Sequence, residues 1–147
     1  MAWVNIENGD GSLSVRNKIN ELGQNAVFAS AVKLTGEMDQ NGNTIGGIET
    51  DNGNSGTSKT IDWTKGNHQV ITLTGDCTLT FTAPTKACML SLRIIQDGTG
   101  GRVLTLPTMK KPGGEEFVFS TDIGAIDILS LYYDGTSYYG QLGANFL

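Results

Sequence analysis

The stretch "QVITLTGDCTLTFTAP", Gln69–Pro84, alternates apolar and polar residues on both sides of a short glycine-containing break. Ile71 and Leu73 alternate with threonines before "TGD", and the same pattern continues after it through Leu79 and Phe81. A period of two is typical of a strand with one buried face, and the break is typical of a tight turn. The stretch therefore predicts a β-hairpin with one apolar face.

The same pattern fills the chain from residue 59 to residue 147. "CMLSLRIIQDGTGGRVLTLP" repeats the strand–turn–strand arrangement, and "AIDILSLYY" and "SYYGQLGANFL" follow a polar loop around "KKPGGEE". Residues 59–147 therefore contain about eight predicted short strands separated by turn signals. Such spacing, without alternating helices, predicts a mainly β fold, an antiparallel, jelly-roll-like β-sandwich over residues 59–147.

All four tyrosines lie in "SLYYDGTSYYG", Ser130–Gly140. A four-residue loop at 134–137 would place Tyr133 opposite Tyr138, whereas a two-residue turn would place Leu131 there. Both registers put the same side chains on each face, because successive side chains of a strand point to opposite faces.

The returning strand decides which of these faces is buried. Tyr138 shares its side with Leu142 and Phe146, so we expect Tyr133 and Tyr138 in the core. Three side chains then lie on the outer face and are the candidate ligand-binding residues: Tyr132, Tyr139 and Gln141.

Ile126 and Ile128 fall on the same nominally outer face as Tyr132. Two explanations remain open at this point. Either a neighbouring subunit covers that face, or a bulge near Leu129 changes the alternation. The first explanation makes Ile126 and Ile128 candidate interface residues.

Residues 12–35 carry a helical pattern within an N-terminal segment, residues 1–35. Ser12 or Ser14 can cap the first turn, and Gly36 stands where a helix would end. Apolar residues at spacings of four and three form one narrow stripe. This stripe can pack against its own domain, or it can associate with other copies or dock on a partner. Its members are Val15, Ile19, Leu22, Ala26 and Ala29.

Residues 36–58 form a connector rich in Gly and Asn with few apolar side chains. Such a segment cannot bury enough surface to fold alone, so it is either a flexible linker or wound together with other copies. Asp39, Asn41 and Asn43 match the first ligands of a calcium loop. Thr44 and Thr50 depart from that motif, which favours a turn-rich polar chain without a metal.

Composition and isolated residues argue against several function classes. The net charge of −5 does not favour binding to nucleic acid or to an anionic membrane, and no apolar run is long enough to span a bilayer. His68 is the only histidine, and neither a zinc ligand set nor a nucleophile–base pair accompanies it. The two cysteines are expected to be reduced. We therefore expect no catalytic residue, no metal and no cofactor, and a protein that is not an enzyme.

Three stretches resemble tailed-bacteriophage fibre and appendage proteins. "NGDGSLSVRNKIN" resembles a helical signature near their N-termini, and "MDQNGNTIGGI" is similar to repeats of trimeric fibres. The long β-region resembles a domain of phage tail-fibre and head-fibre proteins, with landmarks at Trp63, "QDG", "PGG" and the tyrosine stretch. Lys111 departs from the pattern, where an aromatic is expected.

The resemblance implies a virion structural protein that is made in the host cytoplasm and forms a homotrimer. It would be a short fibre, spike or decoration subunit on capsid or tail, attached by its N-terminal region and projecting the β-domain. Its partners would be other virion proteins. The alternative is a module of a tail fibre or baseplate that binds host-surface carbohydrate.

Overall fold

The computed structural model describes residues 47–146, and these residues form eight β-strands. The predicted N-terminal helix, residues 36–46 of the connector, and the stripe Val15, Ile19, Leu22 and Ala26 lie outside the described residues. The strands are β1 (Glu49–Asn54), β2 (Ser58–Asp62), β3 (His68–Leu73), β4 (Cys77–Thr82), β5 (Cys88–Gln96), β6 (Leu104–Thr105), β7 (Ile126–Tyr133) and β8 (Tyr138–Phe146). The prediction of a mainly β fold is confirmed.

The strands form two sheets of mixed character. One sheet has five strands in the order β1-β3-β5-β7-β8, and the other has three strands in the order β2-β4-β6. Strands β1, β3 and β5 run parallel, as do β2, β4 and β6. Only β7 and β8 add antiparallel pairs among the described strands. The chain therefore winds as a coil, placing one strand in each sheet per turn, and ends in a hairpin.

The predicted antiparallel, jelly-roll-like pairing is wrong for most of the domain. Strands β3 and β4, which the sequence pattern joined as a hairpin, lie in different sheets, and the "TGD" break is a corner between them. The segment just before β6 stabilises this corner, because the Asp76 carboxylate accepts a hydrogen bond from the Val103 N–H at 2.9 Å. Ile71 pairs with Ile94 instead of a residue of β4.

Strand β1 lies within the range 36–58 that the sequence analysis assigned to the connector. It is an edge strand whose side chains are held by hydrogen bonds and an ion pair. The Asn52 amide donates to Gln69 Oε1 at 3.0 Å, and Arg93 forms an ion pair with Glu49 at 2.6 Å. Because β1 contributes no buried apolar side chain, it carries none of the alternation by which the other strands were recognised.

The last hairpin has the four-residue loop that the first register predicts. Tyr133 pairs with Tyr138, and Tyr132 pairs with Tyr139. At the loop, the Asp134 carboxylate accepts hydrogen bonds from the backbone N–H groups of Thr136 and Ser137 at 2.8 and 2.7 Å. These bonds lower the pKa of Asp134.

The core lies between the two sheets. Ile71 and Leu92 of the five-stranded sheet and Leu79 of the three-stranded sheet are buried and belong to one apolar cluster. Tyr133 is buried, and Tyr138 is partly buried against the cluster, with ring centroids 4.7 Å apart. Cys77 and Cys88 are free thiols.

Polar side chains tie the long loops to the five-stranded sheet. The buried Gln96 amide donates to the carbonyl oxygens of Arg102 and Ser120 at 3.0 and 2.8 Å, and its oxygen accepts from the Arg102 N–H. The buried Asp127 carboxylate accepts from the Ser120 hydroxyl and the Asn145 N–H at 2.6 and 2.9 Å. The irregularity in β7–β8 pairing lies beside it, between Ile126 and Ile128, close to the bulge considered near Leu129.

Candidate functional site

Tyr132 and Tyr139 stand side by side on the solvent face of the final hairpin. The two residues are 45% and 40% exposed, and their ring centroids are 6.0 Å apart at an interplanar angle of 40°. The pair is adjacent because the four-residue loop sets these two positions opposite each other across β7 and β8. Both tyrosines lie on the outer face, where the alternation in the sequence predicts them.

The two rings line one groove with Gln141, the third candidate residue. The groove has a volume of about 400 Å³, which falls in the range of small-ligand sites. It runs from β5 across β7 and β8 to the loop after β6. Its lining comprises Met89, Lys110, Lys111, Pro112, Ser130, Leu131, Tyr132, Tyr139, Gly140 and Gln141.

Lys110 forms one wall of the groove because the loop after β6 folds back onto the edge of β8. The Lys110 N–H donates to the Tyr138 carbonyl at 2.8 Å, and the Gly140 N–H donates to the Lys110 carbonyl at 2.8 Å. Its ammonium donates to the Tyr139 hydroxyl at 3.1 Å and lies 4.7 Å from the ring centroid. This hydrogen bond is the main cause of a raised Lys110 pKa, so the side chain is charged at neutral pH.

Lys111, where the resemblance would place an aromatic residue, takes a different role from its neighbour. Its ammonium forms an ion pair with Glu116 and lies 5.4 Å from the centroid of the Phe117 ring. The side chain is only 15% exposed. Lys111 is therefore held against the loop, whereas Lys110 is exposed at the groove.

Sequence reasoning missed the residues that come to the groove from other parts of the chain. Met89, which is 63% exposed, reaches it because β5 pairs with β7 and places Met89 opposite Tyr132. Lys110 and Pro112 reach it because the "KKPGG" loop pairs with β8. The only local signal was the outward position of Met89 in the alternation of β5.

Ile126 and Ile128 also lie on the outer face of β7, but at its other end. Both are half-buried, and Ile126 pairs with Phe146, whose ring is 49% exposed. The exposed Ser130 stands between Ile128 and Tyr132 along the strand. The outer face therefore has an aromatic groove at one end and an aliphatic patch at the other.

Neither a metal site nor a membrane-spanning helix is found in the part of the chain that the structure describes. Within residues 47–146, no three His, Cys, Asp or Glu side chains are grouped so as to hold a metal ion. No helix in the same range is long and apolar enough to cross a membrane.

Comparison with known protein families gives a match over the β-domain. A family model described as "Putative phage tail fibre C-terminal domain" matches residues 55–138, which is more than half of the chain. The match runs from the end of β1 to the start of β8, so Tyr139 and Gln141 lie just beyond it. No curated protein and no solved structure matches the chain significantly. The chain belongs to the phage tail fibre C-terminal domain family.

Proposed function

We propose that this protein is a structural subunit of a phage fibre, and that it assembles as a homotrimer. In this proposal residues 1–35 attach to other virion proteins and the β-domain projects from the particle. The observation that carries the proposal is the family match, which spans strands β2 to β7. The protein would act by non-covalent assembly, without catalysis.

The aliphatic patch on the outer face supports contact between subunits. Ile126 and Ile128 lie next to Phe146, and an exposed apolar patch on a sheet is a common mark of a protein–protein interface. A neighbouring subunit would cover this face, as one of the two explanations from the sequence requires. The stripe at Val15, Ile19, Leu22 and Ala26 remains a second predicted interface.

Sedimentation equilibrium of the full chain tests the trimer. We expect a mass about three times the 15.6 kDa of one chain. Replacing Ile128→Asp should shift the mass toward the monomer, because it places a charge on the aliphatic patch. Thr105→Asp, on an exposed position of the other sheet, is the matched control and should leave the mass unchanged. A wild-type monomer would contradict the proposal.

Electron microscopy of intact particles tests the position of the protein. A small tag fused to the C-terminus should appear at the free end of a fibre on the tail. Labelling of the capsid surface would instead favour a head fibre or a decoration subunit. If intact particles contained none of this chain, the proposed structural role would be wrong.

A second candidate function is binding of carbohydrate on the host surface. It is favoured by one specific observation, namely that Tyr132 and Tyr139 are exposed together in one groove. Aromatic rings provide apolar surface on which the C–H face of a sugar can pack, and Ser130 and Gln141 offer hydrogen-bonding groups beside them. This arrangement fits a binding site better than a purely structural surface.

Adsorption of the purified protein to host cells tests this second function. Tyr132→Ala should weaken adsorption about tenfold, since removal of a central aromatic contact typically costs more than 1 kcal/mol. Val118→Ala removes an exposed apolar side chain away from the groove and should have no effect. Equal adsorption of the Tyr132→Ala variant and the wild type would argue against a role for the groove.

A further inference from the structure

The groove is cationic although the whole chain is acidic. Its lining contains two lysines and no carboxylate, whereas the net charge of the chain is −5. A local positive charge on an acidic protein favours anionic ligands over neutral ones at that place. The lining therefore carries information about the ligand, beyond the presence of two aromatic rings.

Within residues 47–146, Lys110 is the groove lysine whose ammonium forms no ion pair. The ammonium has three N–H donors, and its hydrogen bond to the Tyr139 hydroxyl uses one of them. Two donors remain for a ligand. The hydrogen bond also fixes the ammonium beside the exposed ring, so a group that stacks on Tyr139 lies within its reach.

Two carboxylates near the groove, those of Glu116 and Asp134, have other partners. Glu116 pairs with Lys111, and among the described residues Glu115 of the same loop forms no ion pair with Lys110. Asp134 lies at the hairpin tip and interacts favourably with the Tyr139 side chain and with Lys110, while its carboxylate accepts hydrogen bonds from two backbone N–H groups. Asp134 contributes no atom to the groove lining.

From this arrangement we infer that the groove binds an acidic saccharide, that is, a sugar ring bearing a carboxylate or a phosphate. The ring would pack on Tyr132 and Tyr139, its hydroxyl groups would bond Ser130 and Gln141, and the anionic group would accept hydrogen bonds from Lys110. The inference rests on the second function proposed above and adds the charge class of the ligand.

Three probes that differ only at C6 of the sugar test the inference: glucose, glucuronic acid and glucose 6-phosphate. Saturation-transfer NMR of each probe with the full chain measures its dissociation constant. At least one anionic probe should bind about tenfold more tightly than glucose, because hydrogen bonds to charged groups are the stronger ones. Raising the salt concentration should reduce this preference and leave glucose binding unchanged.

Two lysine variants separate the charge of the groove from the charge of the chain. Lys110→Gln should bring the dissociation constant of the preferred anionic probe to within about twofold of that for glucose. Lys86→Gln removes an exposed lysine that lines a different cavity, beside Trp63, and should retain the wild-type preference.

The outcomes distinguish this inference from the function on which it rests. Equal affinity of the wild type for glucose and both anionic probes would show that the groove does not prefer acidic saccharides, while the proposal of carbohydrate binding would stand. Absence of binding for all three probes would overturn the inference. If Tyr132→Ala also left cell adsorption unchanged, the groove would have no binding role. A preference for only one anionic probe would identify the group as carboxylate or phosphate.

Discussion

At Gly140, β8 packs closely against three side chains. A Cβ atom there would lie 2.8 Å from Met109 Sδ, 3.2 Å from the Phe117 ring and 3.3 Å from Leu131. Gly140→Val should therefore lower the free energy of unfolding by about 1–3 kcal/mol, the usual cost of overpacking a core. Urea unfolding followed by circular dichroism measures the change.

The matched control for Gly140 is Gly98, which lies in the exposed loop after β5. A Cβ atom at Gly98 would meet nothing within 4 Å. Gly98→Val should stay within about 0.5 kcal/mol of the wild type. Equal unfolding midpoints for the two variants would mean that Gly140 is not closely packed.

Asp97 makes stability depend on pH in the acidic range. Its hydrogen bonds from the Arg102 guanidinium, helped by the Thr99 and Gly100 N–H groups, lower its pKa from 3.8 to about 2. Because the folded pKa lies below the ordinary value, this stabilisation is complete above about pH 4 and is lost as the pH falls toward 2.

The Asp97→Asn variant tests this dependence. Its urea midpoint should fall less steeply between pH 4 and pH 2 than that of the wild type. Asp122→Asn changes an exposed acid nearby and should keep the wild-type slope. Parallel curves for wild type and Asp97→Asn would show that the pKa of Asp97 is not lowered.

At the level of elements, Gln96 joins the end of β5 to two loops. Gln96→Leu would leave three partly buried backbone groups of Arg102 and Ser120 without their partner. We expect a loss of about 2–4 kcal/mol in unfolding free energy, because unpaired buried polar groups are costly. The same substitution at the exposed Gln141 should have little effect, and thermal unfolding of both variants compares them.

The sequence was sufficient to predict most strands after residue 59 and their buried faces, but neither β1 nor the partner of each strand. Alternation in Gln69–Pro84 depends only on which side chains face the core. It looks the same whether β4 returns beside β3 or crosses to a second sheet. The final hairpin was predictable because its pairing is local. Most of the groove could not be predicted, because Met89 and Lys110 reach Tyr132 and Tyr139 through strand pairings between distant parts of the chain.

At the level of the whole molecule, residues 45–147 form one compact unit with its own core. A fragment of these residues should therefore fold without the preceding segment and unfold in one cooperative transition. Circular dichroism should show a β-sheet spectrum and a thermal midpoint close to that of the β-domain in the full chain. A fragment with a random-coil spectrum would show that the domain needs residues 1–44 to fold.

The winding of β1 to β6 has a consequence for how such a domain can change in length. Successive turns of the coil pair strand on strand, so that Ser58 is matched by Thr78 and Gln69 by Leu92. These pairs are 20 and 23 residues apart. Insertion or deletion of about 20–23 codons in the gene would therefore add or remove one whole turn, roughly 4.8 Å thick. The terminal hairpin would keep its shape, and so would the groove if the change precedes β5, which carries Met89. Natural variation in the reach of the domain is therefore expected in steps of one turn.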